Sequence, residues 1–181
     1  RLDAPGLDAV RSALQRLLDA HEPYPGLALD RCGNVVLANA AAQRLTTLLP
    51  PALLQPRLNI YRASLHPEGF AAATRNFADW GRHLVHELAW LAESTGDAEL
   101  AALAEEVMAY PNVAALMAAR PQAPSDAGGL VLTCEMQLGA QRLTLFTARA
   151  AIGAPRDVTL AELTLELFYP ADGVSEAALR A

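Results

Sequence analysis

The sequence predicts an α/β fold of the α+β kind, with two short strands near the start and three near the end flanking a helical middle. Two apolar runs, 24–30 and 35–38, surround the turn Arg31-Cys32-Gly33-Asn34. Between residues 70 and 110 apolar residues recur at helical steps, whereas within 130–138 and 162–169 every second residue is apolar, the period of a strand. At 181 residues and 52% hydrophobic, the chain suits one domain, or one domain with a helical attachment, and can bury a substantial core.

The elements follow in order. Leu7, Val10, Leu14, Leu17 and Leu18 mark an N-terminal helix over 7–21, stopped by Pro23 and Pro25. The two runs about Gly33-Asn34 read as a β-hairpin. Asn39 is placed to cap a helix through Leu49, because its side-chain oxygen can accept orphan backbone N–H groups; Pro50 and Pro51 end that helix. Phe70, Phe77, Leu84 and Leu91 recur every seven residues, with Ala73, Trp80 and Leu88 between them, so a long helix is expected from Phe70 with one apolar, partly aromatic face. Thr95-Gly96-Asp97 breaks it, and Asp97 caps a helix carrying Leu100, Leu103, Val107 and Tyr110. Pro111 ends that one, a short helix spans about Val113–Arg120, and Pro121–Gly129 is a loop.

The last third is a predicted antiparallel meander. Leu130, Leu132, Cys134, Met136 and Leu138 alternate with polar or smaller residues up to Gly139-Ala140, which suits a two-residue turn. Folding about it pairs Met136 with Leu143, Cys134 with Leu145 and Leu132 with Thr147, a register that makes both faces self-consistent. A third strand carries Leu163, Leu165, Leu167 and Tyr169 on one face and Glu162, Thr164, Glu166 and Phe168 on the other.

Charge and composition exclude several classes. A net charge of −6, with 14 basic residues scattered among 20 acidic ones, gives no clustered cations to displace counterions from a duplex, so this piece is not expected to bind DNA itself. No apolar run approaches a membrane span, and the start, Arg1-Leu2-Asp3-Ala4-Pro5, has no signal-peptide core. The expectation is a cytoplasmic fragment of something longer, without membrane or cofactor. Cys32 and Cys134 form no disulfide framework or zinc site; both read as reduced thiols, Cys32 the more exposed. His83 and His86, with Glu87 four after His83, have a spacing that could place metal ligands on one helical face, but with no further ligand nearby a solvated or capping role is the expected reading. There is no Gly-x-Ser-x-Gly elbow, phosphate-cradling loop or Cys-x-x-Cys, and no enzyme is expected.

Asp30-Arg31-Cys32-Gly33-Asn34-Val35-Val36-Leu37-Ala38-Asn39 resembles the opening of a PAS domain, which runs strand, Gly-containing turn, strand, and an Asn heading the next helix. Ser64–Phe70, Asn76–Trp80, Thr95-Gly96-Asp97, Ala109-Tyr110-Pro111 and Gly153–Leu163 with Phe168–Asp172 resemble, in order, the MmyB-like ligand-binding domain of XRE-family helix-turn-helix regulators. The similarity runs from about Leu14 to about Ala177, and the order of the matches carries it. It implies a PAS-like five-stranded antiparallel sheet with helices packed on one face and an N-terminal helix. Residues 1–22 would then link to a DNA-binding half not present here, and 23–181 would form the ligand-binding domain.

It also implies a hydrophobic, fatty-acid-like small-molecule ligand, a homodimer, and DNA contact only through the missing N-terminal domain. The expected ligand contacts are Phe70, Phe77, Trp80, Leu84, Met117, Cys134, Met136 and Leu145, set against an inner sheet face of Leu132, Cys134, Met136, Leu143, Leu145, Leu165 and Leu167. Arg62, Arg75 and Arg82 are equal candidates for a ligand carboxylate. The rival reading is a PAS-like dimerisation or protein-interaction module with a filled core and no ligand.

Overall fold

The fold was analysed in a computed structural model that describes residues 8–120, 131–151 and 163–181. The expectations on Leu7, on the Pro121–Gly129 loop, on Leu130, on Gly153–Leu160 and on Glu162 lie outside the described residues. Among those described, the order is α1 (Asp8–Asp19), β1 (Gly26–Leu29), β2 (Val35–Ala38), α2 (Ala40–Thr46), α3 (Ile60–Leu65), α4 (Phe77–Thr95), α5 (Ala98–Met108), α6 (Pro111–Ala118), β3 (Cys134–Leu138), β4 (Gln141–Ala151), β5 (Thr164–Pro170) and α7 (Gly173–Arg180). Short 3-10 turns occupy Pro51–Leu54 and Phe70–Ala73. The strands form one sheet in the order β2-β1-β5-β4-β3. Its last three strands are neighbours, as the meander predicts, and the pairs β1–β2, β1–β5 and β4–β5 are antiparallel.

The chain divides into two compact units, residues 1–48 with 145–181 and residues 49–144. In the first, α1 lies on the sheet: Leu14 and Leu18 pack with Ala28, Leu37, Leu163 and Leu165, flanked by Val10, Val36 and Leu167. Leu18 is fully buried, and burying one such side chain contributes about 1.5–3 kcal/mol.

The β4–β5 register corrects one expectation. Leu145 lies opposite Pro170 and Thr147 opposite Phe168, whereas Leu165 faces Ala150 and Leu167 faces Ala148. Paired residues share a sheet face and successive residues alternate. Leu145 therefore lies on the face opposite α1, and Leu165 and Leu167 lie beneath α1. The expected single inner face had assumed that odd-numbered residues of both strands stand together; the register pairs odd with even. The face opposite α1 is buried too, through Leu27, Leu29, Leu145 and the Glu166 side chain. Leu132 is also corrected, since β3 begins only at Cys134 and Leu132 is 40% exposed.

In residues 49–144 the expected long helix from Phe70 is two elements. Phe70–Ala73 is a 3-10 turn; the chain then extends at Thr74, which bridges to Met136, and α4 starts at Phe77. The cause is the polar docking of this segment on β3. The Arg75 N–H donates to the Glu135 carbonyl at 2.7 Å, and the Asn76 side chain both donates to the Thr133 carbonyl (2.7 Å) and accepts the Glu135 N–H (3.0 Å). α4 ends at Gly96, whose φ of +64° suits a residue without a Cβ, and Asp97 caps α5 as predicted. α2 stops at Thr46, short of the expected Leu49. The Thr46 and Thr47 hydroxyls there donate back to the Gln43 and Arg44 carbonyls, local bonds that compete with continued helix.

Asn39 joins the pieces of the first unit. Its side chain is fully buried; Oδ1 accepts from Gly26 N and Ala42 N, each at 3.0 Å, while Nδ2 donates to the Leu18 carbonyl (3.1 Å) and the Tyr24 carbonyl (2.8 Å). Asn39→Ala leaves two buried donors and two buried acceptors without these partners. We expect it to cost about 3 kcal/mol or more, read as a lowered urea midpoint. A loss under about 1 kcal/mol, the usual size of a helix cap alone, would contradict the joint.

Candidate functional site

Seven of the eight expected ligand contacts lie in residues 49–144. α4 supplies Phe77, Trp80 and Leu84, of which Trp80 and Leu84 are buried together with Gly81, Val85 and Leu88. Gly81 is the narrow point: a Cβ there would sit 2.9 Å from the Phe77 ring and 3.1 Å from a Leu116 methyl. Its absence lets the half-buried Phe77 ring and α6 close on α4. Met117, also half-buried, lies on the same α6. Phe70 is elsewhere, packed on the cluster of Leu49, Leu53 and Ala63, because the 3-10 turn takes it off the α4 stripe. Cys134 and Met136 are buried at alternate positions of β3. Leu145 belongs to the other unit, where it is 1% exposed on the sheet face opposite α1.

Several polar groups of this unit are engaged structurally. Asn59 caps α3 by accepting from Tyr61 N and Arg62 N. The Arg62 guanidinium grips Glu106 with two bonds, Nε at 2.8 Å and Nη2 at 2.7 Å, and the Tyr110 hydroxyl donates to the same carboxylate at 2.7 Å. The bonds from Arg62, helped by Tyr110 and opposed by burial, hold the Glu106 carboxyl below its ordinary 4.5. Burial first, and then the bond to Glu106, push the Tyr110 phenol up. The His66 ring lies edge-on to Tyr110 at 4.9 Å, and the Asn112 amide donates to the Leu65 carbonyl.

Two of the three candidate cations are thereby withdrawn. Arg62 is held by Glu106. Arg82 reaches the C-terminal end of α6, donating to the Leu116 carbonyl at 2.7 Å and the Ala119 carbonyl at 3.3 Å, where a cation complements the helix dipole. Arg75 is exposed, and its guanidinium makes no ion pair among the described residues.

Both thiols are buried. Burial pushes the Cys134 thiol up to about 12, so it remains an uncharged, apolar surface. Cys32, expected to be the more exposed, is 2% exposed against 6% for Cys134. The turn folds over it, because the Asp30 carboxylate accepts the Cys32 and Asn34 N–H groups. His83 and His86 are exposed; His83 Nε2 stands 3.6 Å from Glu87, which already accepts the buried Tyr61 hydroxyl at 2.7 Å. No group of three or more metal-binding side chains occurs among the described residues. No helix among them is long and apolar enough to cross a membrane. The unit therefore combines apolar side chains with several polar groups, among them Arg62, Arg82 and Glu106, that hold the helices.

Sequence reasoning missed Arg62–Glu106–Tyr110, because Arg62 and Glu106 are 44 residues apart. It also missed the docking of Asn76 on β3, because the helix expected from Phe70 ran through Asn76 without a break.

The family described as the MmyB-like transcription regulator ligand binding domain matches residues 10–181. No curated protein matches the chain.

A carboxylate whose pKa is lower folded than unfolded stabilises the fold above the unfolded value and loses that contribution as pH falls through the folded one. Glu106→Gln should therefore lower the urea midpoint at pH 7, with the gap to wild type closing as pH falls below the ordinary 4.5. A gap of equal size at pH 7 and pH 3 would contradict the charged pairing.

Proposed function

The chain belongs to the MmyB-like transcription regulator ligand binding domain family, and from that premise we propose that it is the sensing half of a helix-turn-helix regulator, taking up a hydrophobic, fatty-acid-like molecule. As a member it is a regulatory ligand-binding domain; the ligand class and the route of the signal are our reading. The observation that supports it is the set of apolar side chains in residues 49–144, where Trp80, Leu84, Cys134 and Met136 are buried and Phe77 and Met117 are half-buried. Such side chains favour an acyl chain by burying apolar surface at about 25 cal/mol per Å², less the entropic costs of association. Met117 and Met136 suit ligands of varied shape. For a carboxylate head, Arg75 is the cation that the helix contacts leave open.

The domain acts by population shift. Ligand must favour one arrangement of α1 or of a homodimer interface, or nothing reaches the DNA-binding half. Residues 1–22 form the connecting segment and 23–181 the sensor, with DNA contacted only through the preceding domain. The protein performs no catalysis and works in the cytoplasm.

Native mass spectrometry of the purified chain, followed by organic extraction, should reveal a co-purifying acyl compound, or a thermal shift on titration with fatty acids of several lengths. Absence of both would select the rival reading, an interaction module without ligand. Trp80→Ala should weaken acyl binding by the folded protein about tenfold or more, whereas Leu100→Ala, equally disruptive to packing on α5, should not. Equal affinities for the two variants would make Trp80 a core residue only.

A further inference from the structure

The turn that leads from α1 into β1 is held on its outer side by the last helix. The Tyr24 hydroxyl donates to Glu176 Oε1 at 3.1 Å, Arg180 Nη2 donates to the Tyr24 oxygen at 2.9 Å, and Arg180 Nε donates to Glu176 Oε1 at 3.0 Å. Each of the three residues thus touches the other two. The Arg180 guanidinium also lies 5.5 Å from the Tyr24 ring centre, within cation–π range. Behind this triangle stand aromatic contacts: His21 lies edge-on to Tyr169 at 4.7 Å and to Tyr24 at 5.7 Å, and Phe146 stacks on Tyr169 at 5.4 Å. His21 Nε2 donates to the Phe168 carbonyl at 2.9 Å, tying the turn to β5.

α7 is capped by Asp172 and buries Ser175 fully, whereas Glu176 and Arg180 lie largely exposed on its outer side, so the triangle with Tyr24 is a surface contact laid over the turn.

We propose that α7 is a latch on the exit of α1: docked, it fixes the turn at His21–Tyr24, and released, it frees the last turn of α1 to move. This rests on reading α1 as the output helix. A contact of this kind lets α7 set how firmly the sheet holds the helix that leads to the rest of the regulator.

The test is hydrogen exchange on the whole chain, comparing wild type with Tyr24→Phe and Arg180→Gln. The reporting amides are those of Ala20, His21, Glu22 and Tyr24, bonded to the carbonyls of Arg16, Leu18, Asp19 and His21. Both variants should speed exchange of these amides and of 173–180 by about three- to tenfold, with the double variant no faster than either single one. Amides of β1 and β5 should stay within about twofold, showing an intact fold. Faster exchange confined to 173–180, or none, would overturn the latch. Failure of the sensor reading would appear instead as absence of acyl uptake, which leaves these exchange rates as they are.

Discussion

The first unit depends on one buried carboxamide. Asn39 satisfies both of its donors and both of its acceptor positions on backbone groups of α1, the turn at Tyr24, β1 and α2. Apolar burial under Leu14 and Leu18 makes α1 adhere to the sheet, but burial has no direction. Four hydrogen bonds of fixed geometry set where α1 ends and where β1 begins, and an amide is the side chain that can donate and accept at once. Glu22 strengthens the same corner by accepting the Ala41 N–H at 2.9 Å.

Residues 49–144 use the same device with other residues. Asn59 starts α3, Asp97 starts α5, and Asn76 lends its amide to β3 as though it were part of a neighbouring strand. β3 ends the sheet, and an uncovered edge invites pairing with other chains. The Thr74–Asn76 segment answers part of that edge. Side chains that look like ordinary helix punctuation thus determine which apolar residues α4 and β3 present. Arg62 and Arg82 do the same work with charge, one clasping Glu106 and the other the end of α6.

Much of this was legible in the sequence, and the reason is local. The hairpin before Asn39, the cap at Asp97, the α4 stripe from Phe77 to Leu88 and the last three neighbouring strands all follow from periods and turn residues that neighbours cannot override. What failed was long-range. The phase of β5 against β4 is set by pairing rather than by either strand's own alternation, so Leu165 and Leu167 were joined to Leu145 when they belong beneath α1. Phe70 kept the heptad spacing yet left the helix, because the docking of Thr74 and Asn76 on β3 was worth more than one further turn. The charged pair Arg62–Glu106 had no local signature at all. Of the candidate site, the residues on α4 and β3 were reached by spacing together with family resemblance. The withdrawal of Arg62 and Arg82 needed coordinates.

The central claim is that this domain buries an apolar molecule. Calorimetric titration of the chain with dodecanoate at several temperatures tests it most directly, since burial of apolar surface on binding lowers the heat capacity. The account predicts saturable binding with a clearly negative heat-capacity change. Heats that fail to saturate, or saturable binding with no change in heat capacity, would contradict it.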